Sequence, residues 1–306
     1  MTIVVRPFRP ESDVAAIVDV INSIETAEGR DATVTVQQME NALAAPNLFR
    51  WVAQSTLGSA PLVGYGVVFH QMPGRCYGDA RVHPLWRRRG VGRMLIDRMV
   101  DKARSLDARY LAIDVAADNQ DALRFLLTQN FRFRGDVWEL VAPPHAELPS
   151  PRWPDGYHAT TYADSPELDT YVELCNRAFG DLWGHWENFP GAVDAAHMTE
   201  TLTHFDPAGI FIARDAAGNA VGQCRAKAAD DEASPHILDQ PAVIPAARDA
   251  GLHVPLALAA AHWLRRRDLR PVRLESWGDP AETVTSYESL GFALTKHEVS
   301  YVREFA

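Results

Sequence analysis

The chain begins with alternating apolar and polar residues, and this alternation gives way to helical spacing. Residues 3–9 alternate as a half-buried strand does. From about Glu11 the apolar positions recur at intervals of three and four, which is typical of one helix face: Val14, Ile17, Val18 and Ile21. A second, short helix is predicted at 36–44. The pattern therefore predicts one strand followed by two helices in the N-terminal region.

The following stretch predicts an antiparallel meander. Apolar-rich runs at 49–54 and 62–69 are separated by the turn T-L-G-S-A-P, and a third run ends at Val82. Strands that are joined by such short turns pair antiparallel, because a parallel connection needs a long crossover. We expect three consecutive strands that end at Val82.

Helices and strands alternate after the meander. A helix is predicted at 90–104, a strand at 110–115 and a helix at 120–129, and strands at Phe131 and Trp138 complete the set. The expected fold class is α+β, with a mixed, mostly antiparallel sheet layered between helices. The strand that ends at Val82 leads directly into a helix through a turn rich in arginine and glycine.

The second half of the chain repeats the first. The segment V-H-P-L-W-R-R-R-G-V-G from Val82 matches V-I-P-A-A-R-D-A-G-L-H from Val243. Four identities share one separation of 161 residues: Pro84 with Pro245, Arg87 with Arg248, Gly90 with Gly251 and Phe131 with Phe292. Upstream, V-D-V-I-N from Val18 matches V-E-L-C-N from Val172. We therefore predict a duplication that gives two domains of one fold.

A proline-rich segment separates the two halves. Residues 143–154, P-P-H-A-E-L-P-S-P-R-W-P, include five prolines, which lack an amide donor and disfavour helix before them. We expect domains at 1–142 and 155–306, joined by a linker at 143–154. The 306 residues suffice for two separate cores.

Composition excludes several classes of protein. The hydrophobic fraction of 47% and the charged fraction of 23% are close to those of soluble globular proteins, and no apolar run approaches the roughly 20 residues of a membrane span. The N-terminus lacks the features of a signal peptide, so we expect a cytoplasmic protein without membrane partners. The net charge of −10 disfavours a nucleic-acid partner, because polyanions are bound by dense Lys and Arg.

Metal binding is not expected. The three cysteines are far apart, and the eleven histidines lack the spacing of metal ligands. A second arginine cluster at 265–267 ends a predicted helix, where cations complement the helix dipole, and we interpret it as a solvated helix end.

The turn R-R-R-G-V-G-R, from Arg87 to Arg93, has the composition of a phosphate-binding loop. The first amides of a helix have no partners within the helix, and the helix dipole attracts anions to that end. Two glycines allow a close approach of the backbone, and the arginines add positive charge. The alternative interpretation is a solvated basic turn with a tight bend.

Two motifs connect this turn to a known family. The pattern V-x-P-x-x-R-x-x-G-x-G resembles the acetyl-CoA-binding signature of the GNAT superfamily of acyltransferases. D-N-Q-D-A-L-R-F-L-L-T-Q-N-F, from Asp118 to Phe131, resembles the family segment N-x-x-A-x-x-L-Y-x-x-x-G-F. The resemblance covers both halves, is strong in the first and degraded in the second, and the tandem arrangement is similar to the mycothiol synthase type.

The resemblance implies acetyl-CoA as the cosubstrate, with its pyrophosphate held by the amides of the turn. It implies a binding set that lies almost entirely between the third strand and the following helix: Val82, His83, Arg87, Arg88, Arg89, Gly90, Val91, Gly92, Arg93 and Asn119. The resemblance also implies that a backbone amide near Val82 polarises the thioester carbonyl.

Acyl transfer to an amine requires a group that removes a proton, because an alkylammonium has a pKa near 10.4. Asp114 is the candidate, since family members often have a glutamate base at the matching position. The alternative is a strand-end carboxylate that caps the next helix or pairs with an arginine. The family's tyrosine acid is replaced by Leu126, so acid catalysis by this position is not expected in the first half.

The second half has the opposite pattern. Glu275 and Tyr287 occupy the positions of Asp114 and Leu126, again 161 residues apart, while the last glycine of the turn is replaced by His253. Glu275 and Tyr287 are therefore catalytic candidates as well, although an aromatic residue at position 287 could equally serve packing.

The function expected from the sequence is an N-acetyltransferase that transfers an acetyl group from acetyl-CoA to a primary amine of a small molecule in a ternary complex. One alternative places catalysis in the second domain at Glu275 and Tyr287. Another is a non-catalytic acyl-CoA-binding regulatory protein. The sequence leaves open the acceptor, the acyl chain length, the catalytic domain and the oligomeric state.

Overall fold

The computed structural model describes residues 2–305 except 30, 32, 44–46, 57–58, 60, 73, 186–187, 189–192, 230–233, 240 and 279–280. The contacts divide the chain into two compact units. The first unit consists of residues 1–134 and 300–306, and the second consists of residues 135–299.

The first unit has the meander that the sequence predicts. Strands β1 to β5 are neighbours in sequence order, and all pairs are antiparallel except the parallel pair β4 and β5. The strands are β1 (Ile3–Pro7), β2 (Leu48–Ser55), β3 (Leu62–Met72), β4 (Arg75–Val82) and β5 (Tyr110–Ala116). The helices are α1 (Pro10–Ala27), α2 (Val36–Leu43), α3 (Val91–Ser105) and α4 (Gln120–Thr128).

Glycines on one face of the meander allow α3 to lie close to the sheet. An added Cβ at Gly64 would be 3.1 Å from the side chains of Val91 and Leu95, and one at Gly78 would be 2.5 Å from the end of Met99. Tyr65 follows Gly64 and points to the opposite face, because side chains alternate along a strand. The two faces of the meander are therefore covered by α3 and, on the other side, by residues of α1.

The parallel strands β4 and β5 separate before they end. Their pairing runs from Arg75 opposite Tyr110 to Gly78 opposite Ile113. Beyond these residues β4 continues to Val82 and β5 to Ala116 without further pairing between them. The separation leaves a gap in the sheet that opens toward the start of α3.

The end of the chain belongs to the first unit. Strand β13 (Ala293–Glu304) leaves the second unit at Val299, and the residues after it bond to first-unit groups. The Phe305 amide donates to the Arg109 carbonyl at 2.7 Å, and Arg303 donates to the Gln129 carbonyl at 3.2 Å. The sequence boundaries place this tail in the second domain. The hydrophobic pattern of β13 does not indicate which unit its last residues belong to. The predicted domain boundaries stay a prediction.

The second unit repeats the mixed sheet. Its strands neighbour one another in the order β7, β8, β9, β10, β12, β6, and β11 pairs with β9. The strands are β6 (Arg132–Ala142), β7 (His158–Thr161), β8 (Ile210–Arg214), β9 (Ala220–Lys227), β10 (His236–Leu238), β11 (Ala242–Val243) and β12 (Val272–Trp277). The helices are α5 (Leu168–Phe179), α6 (Ala195–Leu202), α7 (His253–Arg265) and α8 (Ala281–Ser289). Phe131 precedes β6, which includes Trp138, so a single strand replaces the two expected there.

The proline-rich segment belongs to the second unit and bonds to the end of α7. Arg265 donates to the carbonyls of Ala146 and Pro143, and His262 bonds to the Pro149 carbonyl at 2.9 Å. Burial lowers the pKa of Arg265. The interpretation of this arginine as a solvated helix end is therefore wrong. A segment rich in proline has few amide donors of its own, and Arg265 supplies hydrogen bonds to two of its carbonyls.

None of the described helices is both long enough and apolar enough to cross a membrane. In the same part of the chain, no group of three or more His, Cys, Asp or Glu side chains is arranged to hold a metal ion.

The close approach of α3 predicts unequal effects of alanine at two glycines. We expect Gly64→Ala to lower the free energy of unfolding by about 1–3 kcal/mol, because its Cβ would also meet the Arg81 carbonyl at 3.1 Å, which cannot rotate away. Gly66→Ala is the matched control, since the three nearest atoms to its Cβ belong to the side chains of Leu95 and Met99, at 3.3 Å or more, and none is a backbone atom. Chemical denaturation of both variants measures the difference, and equal losses would contradict this account of the packing.

Candidate active site

The turn between β4 and α3 has a fixed backbone. A single 3-10 turn (Pro84–Trp86) follows β4, and the His83 ring nitrogen Nδ1 accepts from the Leu85 amide at 3.2 Å. Arg88 and Gly90 then adopt left-handed conformations, with φ of 61° and 82°. Two reversals of the backbone within three residues turn the chain from the strand into the helix.

The first amides of α3 are available to a ligand. The first hydrogen bond of the helix joins the Met94 amide to the Gly90 carbonyl at 3.1 Å. Among the described residues, no hydrogen bond is recorded from the amides of residues 90–93. These donors lie at the positive end of the helix dipole, which is the arrangement that binds a phosphate or another anion.

Gly92 lies close to a side chain of α4. An added Cβ would lie 3.2 Å from the ring of Phe125, which belongs to α4. Gly90 differs, since nothing lies within 4 Å of its Cβ position and only its positive φ requires glycine.

Arg87 is bound within the protein. Its guanidinium pairs with Glu28 at 2.7 Å, and its Nε donates to the Val82 carbonyl at 3.4 Å. The second unit repeats this arrangement, because Arg248 donates to the Val243 carbonyl at 3.1 Å and forms two bonds with Asp181 at 2.6 and 2.7 Å. In both units the arginine therefore ties the turn to the end of the first helix.

The other arginines of the turn are exposed. Arg89 lies over the Trp86 ring at 5.2 Å, and Arg93 is 3.9 Å from Asp97. The pKa of Asp121 is lowered mainly by Arg124, and Arg88 and Arg87 contribute. The positive field of the turn therefore extends to the start of α4.

Asn119 is the N-cap of α4, since its side-chain oxygen accepts from the Ala122 amide at 3.1 Å. It fills the capping role that the alternative interpretation gave to Asp114. Leu126 is only 3% exposed and belongs to the core. The position of the family's tyrosine is thus a core position in the first unit.

Asp114 lies on β5, one residue beyond the last pair between β4 and β5. The Ser300 hydroxyl donates to its Oδ1. Tyr77 of β4 is close enough that Asp114 contributes to its raised pKa, although burial is the main cause. The carboxylate is therefore at the inner end of the gap in the sheet. Ser300 could not be found from the sequence, because it lies 186 residues away from Asp114 along the chain.

Glu275 and Tyr287 are in the second unit. Glu275 lies on β12 opposite Glu139 and pairs with Arg273 at 3.0 Å. Tyr287 is fully buried on α8, and its ring contacts Phe292 edge to face. A buried ring is what the packing interpretation of Tyr287 expects, and a catalytic role for either residue stays a prediction.

The turn of the second unit has lost groups that favour an anion. Gly251 keeps a left-handed φ of 71°, but Asp249 stands where the first unit has Arg88. His253 replaces Gly92 at the start of α7. Burial and Arg248 lower the pKa of His253, which favours the neutral ring.

An open cleft of about 580 Å³ lies beside the turn of the first unit. Polar residues of α1 form one wall and the residues that follow β4 form the other: Asp19, Asn22, Ser23, Thr26, His83 and Leu85. The lining offers one carboxylate, hydroxyls and an imidazole to a polar ligand.

Comparison with known proteins agrees with this geometry. The sequence profile of the acetyltransferase (GNAT) family matches residues 15–131, which include the turn, Asp114 and Asn119. A GCN5-related N-acetyltransferase from Sphaerobacter thermophilus has the same fold, with a TM-score of 0.76 at 19% identity, over 99% of this chain and 95% of that one. A tandem GNAT protein from the clavulanic acid biosynthesis pathway aligns over 99% and 98% of the two chains, with a TM-score of 0.61 at 20% identity.

The chain belongs to the GNAT family of acetyltransferases. Among its relatives is a mycothiol acetyltransferase from Saccharomonospora viridis, which is 31% identical over 80% of each chain. The predicted tandem GNAT fold and the prediction of an acetyltransferase are confirmed.

The left-handed conformation of Gly90 generates a prediction. Gly90→Ala and Gly218→Ala impose similar backbone strain of about 1 kcal/mol, because both glycines have positive φ, 82° and 85°, and nothing lies within 4 Å of either Cβ position. We expect both variants to lose similar stability, while only Gly90→Ala weakens acetyl-CoA binding in calorimetry. Equal affinity in the two variants would show that the turn does not hold the cofactor.

Proposed function

We propose that this protein transfers an acetyl group from acetyl-CoA to a primary amine of a small molecule, by direct attack in a ternary complex in the first unit. The observation that supports the proposal most is the set of available amides at residues 90–93, beside exposed arginines. Such a helix N-terminus suits the pyrophosphate of acetyl-CoA.

The gap between β4 and β5 suits the rest of the cofactor. The pairing ends at Gly78, and Val82 lies four residues further along β4. At about 3.3 Å per residue this part of β4 is roughly 13 Å long. Unpaired backbone groups along the gap can bond to the amides of an extended pantetheine arm, whose thioester end then points toward Asp114.

The reaction needs few groups from the protein. Asp114 accepts a proton from the ammonium, directly or through water, and the neutral nitrogen attacks the thioester carbonyl carbon. The C–N bond forms, the nitrogen gives its second proton to water as the amide forms, the C–S bond breaks, and the leaving thiolate takes a proton. Leu126 has no proton to give, so water protonates the thiolate, which has a pKa near 8.5.

The acceptor is proposed to be a small polar amine. The cleft beside α1 offers Asp19 to a cationic group, and Ser23 and Thr26 to hydroxyls. The relatives are named for mycothiol. We propose a small molecule of comparable polarity for this chain, and a polyanion is disfavoured by the net charge of −10.

Catalysis in the second unit is the second candidate, because Glu275 and Tyr287 match the family's catalytic positions. Arg273 at 3.0 Å neutralises the Glu275 charge, and Asp249 in place of Arg88 weakens the turn there as an anion site. A regulatory protein that binds acetyl-CoA without turnover is the third candidate, and the missing acid at Leu126 favours it.

Calorimetry with acetyl-CoA tests where the cofactor binds. We expect one molecule per chain, and we expect Gly92→Glu to weaken binding at least about tenfold, since a carboxylate at the helix start repels the diphosphate. Gly92→Ala is the control, because it meets the same Phe125 ring at 3.2 Å without adding charge. Two sites per chain, or unchanged affinity of Gly92→Glu, would contradict the proposed site.

Release of free thiol over a panel of amines tests the chemistry. We expect Asp114→Asn to lower kcat/KM by about 10²–10⁴, the usual contribution of a general base, while cofactor affinity stays unchanged. Glu275→Gln and Tyr287→Phe should retain turnover. Full activity of Asp114→Asn at every pH would remove Asp114 from the mechanism. Loss in Tyr287→Phe with intact cofactor binding would favour the second unit, and binding without thiol release on any amine would favour the regulatory protein.

A further inference from the structure

The tail of the chain places a buried hydroxyl against the candidate base. Ser300 is the first residue of the tail that returns to the first unit, and it is 0% exposed. Its hydroxyl donates to Asp114 Oδ1 across 186 residues of sequence. A buried hydroxyl costs stability unless it has a hydrogen-bond partner, so this contact is part of the packing of the tail.

We propose that Ser300 is a positioning residue for acyl transfer, which acts by fixing the orientation of the Asp114 carboxylate and favouring its ionised form. The inference rests on the proposed function, in which Asp114 is the base. A donor to one carboxylate oxygen restricts rotation of the group and stabilises its negative charge. The proton acceptor of the first unit is then completed by the last residues of the chain.

Other titratable groups lie beside this contact. Tyr77 of β4 is held neutral, because burial raises its pKa, with Asp114 and Tyr110 adding to the effect and Arg75 opposing it. Arg75 is fully buried, and its guanidinium lies 5.9 Å from the ring centre of Tyr110. Burial is also the main cause of the raised pKa of Tyr110. Of Tyr77, Tyr110 and Arg75, only the arginine carries a charge. The Ser300 hydroxyl donates to Asp114 Oδ1 beside them.

The sign of the expected effect follows from the hydrogen bond. A donor to the ionised form lowers the pH at which a carboxylate takes up a proton, so removing the donor raises that pH. A base must be ionised to act. Ser300→Ala is therefore expected to lose activity first on the acidic side, as the acidic limb of the kcat/KM profile moves to higher pH.

The test is a titration of the Asp114 carboxyl by ¹³C NMR on the full chain, with Asp114→Asn to assign the signal. We expect the midpoint in Ser300→Ala to rise by about one pH unit, with an equal displacement of the acidic limb of kcat/KM for thiol release. Ser55→Ala is the matched control, because Ser55 is a serine of the same unit that is 1% exposed. In the Asp114→Asn background, Ser300→Ala should cause no further loss of kcat.

The outcomes separate this inference from the proposed function. An unchanged titration of Asp114 in Ser300→Ala, or the same change in Ser55→Ala, would overturn the role of Ser300 whatever the activity. A displaced titration with an unchanged rate profile would show the contact while excluding Asp114 as the base, which would overturn both the positioning role and the proposed proton transfer. Restoration of the wild-type titration by Ser300→Thr, which keeps the hydroxyl, would support the proposal.

Discussion

The site depends on one interruption of hydrogen bonding, the end of the parallel pairing between β4 and β5 at Gly78 and Ile113. Strands that continued in register would consume the backbone groups that the gap leaves available. The gap opens toward the start of α3, where the first amides have no recorded partner in the described chain, and its inner end is marked by Asp114. The start of α3 and the Asp114 carboxylate therefore lie at the two ends of this gap.

The duplication shows which parts of the turn serve architecture. Arg87 and Arg248 are identical in the two repeats, and each bonds to the end of the preceding strand and to an acid that follows the first helix. The identity therefore reflects a structural tie, although the resemblance had placed Arg87 among the cofactor ligands. The positions that differ are ones that would face an anion, with Asp249 in place of Arg88 and His253 in place of Gly92. Cofactor binding thus has more support in the first unit than in the second.

Much of the fold could be predicted from the sequence. Hydrophobic periodicity depends on neighbouring residues, and the repeat is visible when the two halves of the sequence are compared. The meander, the helix that follows Val82 and the tandem arrangement are confirmed, and the Asn176 side chain bonds to the Val193 carbonyl as its counterpart Asn22 bonds to that of Val34. Ser300 and Arg265 could not be assigned in this way. Their partners, Asp114 and the carbonyls of the proline-rich segment, are more than a hundred residues away, and no spacing rule joins them.

One further difference between the repeats is that leucine at position 126 stands where the second unit has tyrosine at position 287. Leu126 is 3% exposed and Tyr287 is 0% exposed, so both units bury this position in a core. A core position accepts either side chain if the packing adjusts, and the loss of a phenol there leaves no charged group unpaired. Replacement of the tyrosine therefore need not signal loss of catalysis in the first unit, because a thiolate can take its proton from water. Catalysis requires a base near the thioester more strictly than it requires an acid, and the proposed function assigns that role to Asp114 in the first unit.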